Sequence, residues 1–76
     1  MREEIIEILQ SVHPEVDYEV EDKLIDNRIF DSFDVVSVVS ELIDNFDVEI
    51  TAETMIPENF NSVDAIMNLI KRLEEE

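Results

Sequence analysis

The sequence predicts an all-α fold, with three main helices and one short helix around a single core and a long connection between the first two. Three observations carry that reading. Apolar residues recur at spacings of three and four in three separate segments. The chain has no glycine, and hairpin turns and phosphate-cradling loops lean on that residue for positive φ. Its 76 residues make one domain spanning 1–76, of a size that buries only about 60% of the surface its unfolded chain exposes.

The first helix runs from Arg2 to Val12, with Ile5, Ile6, Leu9 and Val12 on one face. Pro14 stops it, because the residue before a proline is pushed out of the α region. His13 stands at that stop and reads as a helix-end residue, not a ligand or a base. The connection over 14–29 carries Val16, Tyr18, Val20, Leu24, Ile25 and Ile29 among many acids. Val16, Tyr18 and Val20 alternate with Asp17 and Glu19 as a strand would. No second alternating run exists to pair with them, and a lone strand is not stable. An extended loop pinned by apolar anchors is therefore expected, with a turn at Asp26-Asn27.

The strongest helix spans Ser32 to Phe46, where Val35, Val38, Val39, Leu42 and Phe46 form the buried stripe. Its valines lower the intrinsic propensity, so packing must hold it. Asp31 or Ser32 is a good N-cap, and Asp34, three residues after Asp31, makes a loose capping box. Residues 48–55 link onward, with Val48 and Ile50 as anchors. Pro57 opens a short helical turn through Phe60. Asn61 or Ser62 caps a last helix whose stripe is Val63, Ile66, Met67, Ile70 and Leu73. Lys71 and Arg72 suit the negative end of its dipole, whereas Glu74 to Glu76 oppose it and are expected to fray.

Composition excludes several classes of function. The net charge is −16, a field that repels nucleic acid and anionic membranes and attracts basic protein surfaces. From Ile29 to Ile70 there is no lysine or arginine, while Asp31, Asp34, Glu41, Asp44, Asp47, Glu49, Glu53, Glu58 and Asp64 all fall there. That stretch is expected to face basic partners. Crowded carboxylates also oppose folding, so the melting temperature is expected to rise with added salt or magnesium. The absence of cysteine removes disulfides and thiolate metal sites. No export signal or membrane span is legible, so a cytoplasmic monomer is expected. Asp44, Asp47 and Glu49 lack the EF-hand pattern and predict at most weak divalent binding. Carboxylates abound, but no nucleophile–base pair or metal set appears, so the chain is not read as an enzyme.

The segment Ile29-Phe30-Asp31-Ser32-Phe33-Asp34-Val35-Val36 is the candidate site. It sets a serine hydroxyl at the first turn of an amphipathic helix, beside free backbone N–H groups and the positive end of the dipole. A phosphate ester there is stabilised as anions are at helix N-termini. Asp31 and Asp34 would repel it, which suits a modification installed by a dedicated enzyme. The simpler possibility is that Ser32 is only a cap. Phe33, Val36 and Ser40 form a stripe beside the serine, either core or a contact for partners ringed by Asp31, Asp34 and Glu41.

Asp31-Ser32-Phe33-Asp34 resembles the attachment motif of acyl carrier proteins. The resemblance extends to Leu24-Ile25-Asp26-Asn27, to Val35 through Ile50, and to Ser62-Val63-Asp64-Ala65-Ile66, covering almost the whole chain. It implies an acyl-carrier-protein-like four-helix bundle. It further implies that a phosphopantetheinyl transferase moves 4′-phosphopantetheine from coenzyme A onto Ser32, and that the arm's thiol carries a thioester-bound acyl or aminoacyl group between partner enzymes. Those partners are loading ligases or synthases with basic docking surfaces, met by Asp31, Phe33, Asp34, Val36 and Glu41. Arg28 stands where the family usually has glycine, so either Asn27 takes a left-handed turn or the loop differs. Ser37 and Ile43 replace acids common in fatty-acid carriers, and Glu41 with Pro57-Glu58-Asn59-Phe60 is closer to D-alanyl carriers. Fatty acyl, polyketide and D-alanyl cargo all remain open. The competing reading from a different class is an acidic helical adaptor that binds a basic partner without a cofactor.

Overall fold

The computed structural model describes residues 1–75. Four helices follow in order: α1 (Arg2–Val12), α2 (Ser32–Phe46), α3 (Pro57–Phe60) and α4 (Val63–Glu75). A 3₁₀ turn at Ala52–Thr54, not anticipated in the link over 48–55, precedes α3. No strand occurs among the described residues. The helices bury one core of Ile5, Ile8, Leu9, Val38, Val39, Leu42, Phe60, Val63, Ile66, Leu69 and Ile70, closed by Tyr18, Leu24, Phe30 and Val48 from the connections.

Local chemistry explains the helix limits. His13 has φ −134° and ψ 87°, the extended backbone that Pro14 demands of its predecessor. Asp31 caps α2, and Asp47 ends it in the left-handed conformation at φ 54°, donating its N–H to the Ile43 carbonyl at 3.0 Å. The Ser62 hydroxyl accepts from the Ala65 amide at 3.0 Å, which caps α4. Glu74 and Glu75 remain helical, so the expected fraying does not begin there; Glu76, the last residue of that expectation, lies outside the described residues. Burial of the α4 stripe up to Ile70 and Leu73 holds the last turn against the unfavourable charge.

The connection over 14–31 departs most from expectation. It is a succession of turns, not an extended loop. Tyr18 and Leu24 are fully buried anchors, but Val20 is 74% exposed and anchors nothing. The reason lies in the turn at Asp17, whose carbonyl accepts from both Val20 and Glu21 and throws Val20 outward. Farther on, the Leu24 carbonyl accepts from Ile29 at 3.0 Å and Phe30 at 3.1 Å, closing residues 24–30 into a knot. Arg28 itself adopts φ 60° within it. Of the two alternatives, Asn27 left-handed or a different loop, the second holds: Arg28 takes the left-handed position itself, its amide donating to the Ile25 carbonyl at 3.0 Å while Ile29 and Phe30 reach back to Leu24.

Tertiary ties run through polar groups as well as the core. The Tyr18 hydroxyl donates toward the carbonyls of Leu9 at 3.0 Å and His13 at 2.7 Å, and burial, with the charges of Glu15 and Asp34, pushes its pKa up to about 12. Arg2 pairs with Asp64 and approaches Glu19 at 3.8 Å, joining α1 to α4 and the connection.

Candidate functional site

Ser32 is the first residue of α2 and its side chain is exposed. The cap is Asp31: its carboxylate accepts the Asp34 amide at 2.9 Å, while the Asp34 carboxylate accepts the Asp31 amide at 3.2 Å. This reciprocal box, built from two aspartates, satisfies the orphan donors that a serine cap would otherwise serve. The Ser32 hydroxyl is therefore released from capping. Phe30 and Val35, at the two positions joined in a hydrophobic staple, direct the entering chain.

A groove of about 270 Å³ opens beside Ser32. Ile25, Phe30, Asp31, Ser32, Val35 and Val36 line it from the connection and the start of α2, and Met55, Ile56, Pro57 and Phe60 from the 3₁₀ turn onward. The 3₁₀ turn and α3 thus bring a second apolar wall to the serine. Nothing local in the sequence announces this wall, because it comes from residues more than twenty positions away.

Phe33 is 82% exposed and Val36 53% exposed, with Ile43 and Ile56 also exposed. Of the two readings of the Phe33 and Val36 stripe, core or surface, the structure selects surface. Exposed apolar side chains of this size close together mark a contact surface more often than a packing remnant. At 100° per residue, Val36 and Ile43 lie on the Ser32 side of α2, with Phe33 and Ser40 next to it.

Two of the expected docking residues lie elsewhere. Glu41 falls opposite Ser32 on the helix and shares a depression with Glu4, Glu7, Ser11 and Asn45, on the side facing α1. Asp34 is also turned toward α1, where its Oδ2 takes His13 Nε2 at 2.8 Å. That hydrogen bond holds the Asp34 carboxyl below its usual range, reinforced by the Asp31 backbone. Asp31, Phe33 and Val36 remain at the serine, while Asp34 and Glu41 do not face the groove. Asp44, Asp47 and Glu49 do not converge; no group of three metal-ligating side chains forms among the described residues.

His13, read from sequence as a helix-end residue, is more than that. Its ring meets the Phe30 ring edge-on at 4.9 Å between centroids, and its Nδ1 lies 3.1 Å from Glu15 Oε1. Asn61 was likewise legible only as a cap. Its Oδ1 accepts from the amides of Ile25 at 3.0 Å and Asp26 at 3.1 Å, and its carbonyl accepts from Leu24 at 2.8 Å. It secures the knot that delivers the chain to Asp31.

No helix among the described residues is long and apolar enough to cross a membrane. The chain matches no family model, no curated protein and no solved structure.

Proposed function

We propose that this chain is an acyl or aminoacyl carrier whose Ser32 hydroxyl is the attachment point for 4′-phosphopantetheine. The observation that carries the reading is the freedom of that hydroxyl: it begins α2, stands exposed, takes no part in the capping box and borders an apolar groove. When attached, the group supplies a thiol that holds cargo as a thioester, which suits a chain without cysteine. The residues present fit such a group. The Ser32 oxygen would bear the phosphodiester, the first-turn amides and helix dipole favour its charge, and Val36, Met55 and Ile56 offer apolar surface to the arm. The all-helical fold of the described residues is compatible with an acyl-carrier-protein-like bundle, and the one-signed charge from Ile29 to Ile70 suits basic partners.

In this reading the chain performs no bond-making step. It is modified by a phosphopantetheinyl transferase and met by loading ligases or synthases, with Asp31, Phe33 and Val36 nearest the serine. Incubation with coenzyme A and a broad-specificity transferase, followed by intact-mass measurement, tests it. A mass increase in wild type that is lost in Ser32→Ala is expected. Unmodified wild type, or equal modification of Ser32→Ala, would overturn it. The exposure of Phe33 also favours a second reading, an acidic adaptor that captures a basic protein without a cofactor. That reading is the one left standing if no mass is gained.

A further inference from the structure

We propose that His13 is a protonation-dependent clasp that fixes the first turn of α2, and with it the position of Ser32, by holding Asp34. The clasp itself is independent of any cofactor; only its consequence for modification rests on the carrier reading.

The geometry begins with how the ring is located. The His13 amide donates to the Leu9 carbonyl at 2.9 Å, its carbonyl receives the Tyr18 hydroxyl at 2.7 Å, and Phe30 packs edge-on to its imidazole. The first two contacts fix the backbone at His13, and Phe30 stands against one side of the ring. From this position Nε2 lies 2.8 Å from Asp34 Oδ2 and Nδ1 lies 3.1 Å from Glu15 Oε1.

Both ring nitrogens therefore face carboxylate oxygens. A neutral imidazole carries one N–H and one lone pair. It can donate to Asp34 or to Glu15, while its lone pair is set against the other carboxylate. Only the imidazolium donates to both. The arrangement is thus complete in one protonation state and frustrated in the other. Among the described residues, the charged groups that act on the ring are Asp34 from α2 and Glu15 from the connection. Tyr18 stays neutral throughout the relevant range, since burial raises its pKa to about 12.

The same Asp34 Oδ2 that receives His13 also accepts the Asp31 amide, which is half of the capping box. The chain of contacts runs from the end of α1 through His13 and Asp34 to Asp31, and the next residue is Ser32. Protonated His13 ties the start of α2 to α1. Loss of the proton leaves one N–H for two carboxylates, so Asp34 and Glu15 compete for it and the tie to α1 loses its charge. The hydrogen bond to Asp34 is the main influence holding His13 above its ordinary pKa, with Glu15 adding to it and desolvation opposing. The clasp is therefore complete in mildly acidic solution and weakens as pH rises through the raised value.

The experiment is an NMR titration of the wild-type protein between about pH 5 and 9, a span centred on histidine chemistry. It follows the His13 ring together with the amides of Ser32 and Phe33. The expected result is a His13 midpoint above the ordinary value of 6.5, with both amides shifting at that same midpoint. Asp34→Asn should move the midpoint back toward the ordinary value, and His13→Gln should abolish the step at Ser32 and Phe33. A midpoint at or below the ordinary value overturns the proposal, as do Ser32 and Phe33 amides insensitive to the His13 titration. The wild-type measurement decides without the variants, so their folding is not a condition. It also requires no coenzyme A, so failure of Ser32 to be modified bears on the carrier reading alone.

Discussion

Asn61 reaches back across 35 residues to Asp26: its side-chain oxygen accepts the Asp26 amide at 3.1 Å, and its nitrogen donates to the Asp26 carboxylate at 3.2 Å. The same oxygen accepts the Ile25 amide. One side chain at the α3–α4 junction thereby holds the turn that leads into the candidate site. Asn61→Ala would leave those amides without their acceptor, at a cost of about 1–3 kcal/mol. Thermal unfolding should show the melting temperature falling by roughly 4–8 °C per kcal/mol. An unchanged melting temperature would show that water replaces the side chain without loss.

Capping and the proposed attachment are separable because they fall on adjacent residues, Asp31 and Ser32. Asp31→Ala removes the acceptor of the Asp34 amide and should lose about 1 kcal/mol of stability. Ser32→Ala, at an exposed position outside the box, should change stability by no more than about 0.5 kcal/mol. Paired denaturant titrations check this. The reverse order would mean that the serine is the true cap.

Arg28 holds a left-handed conformation at φ 60°, which costs a residue with a Cβ about 1–2 kcal/mol. Arg28→Gly relieves that strain but raises the entropy of the unfolded chain by about 0.4–1 kcal/mol. The net expectation is a gain of between about zero and about 1.6 kcal/mol in stability. Arg28→Val, branched at Cβ, should lose stability instead, and denaturant midpoints of the two variants should move in opposite directions.

Stability should depend on pH with two opposite slopes. The folded His13 pKa is raised, so its contribution is fully present below 6.5 and is lost as pH rises through the raised value. The folded Asp34 pKa is lowered, so its contribution is present above 3.8 and is lost as pH falls through the lowered value. The clasp contributes most between those two ordinary values. Melting temperature measured against pH should decline on the alkaline side in wild type, and His13→Gln should lack that decline.

The candidate site was partly legible in the sequence. The Asp31 and Asp34 spacing already announced a capping box, and the apolar period placed Ser32 at the edge of α2 and not within its stripe. What was not legible has a common cause. His13 beside a proline looks like any helix end, since its partner Asp34 is 21 residues away. Ile8 and Leu69 fall at the edges of their helical stripes and are buried because neighbouring elements cover them. Glu41 looked like part of a rim around Phe33 until the packing of α1 showed which side of α2 it occupies.

The sequence by itself determined where α1, α2 and α3 begin and end and where α4 begins, because proline, caps and apolar period act within a turn or two of the residue concerned. Only the tertiary structure decided the left-handed Arg28, the apolar wall opposite Ser32, the exposure of Phe33 and the tie from His13 to Asp34. Each depends on which distant groups compete for the same amide, carboxylate or patch of core, and a local pattern does not record that competition.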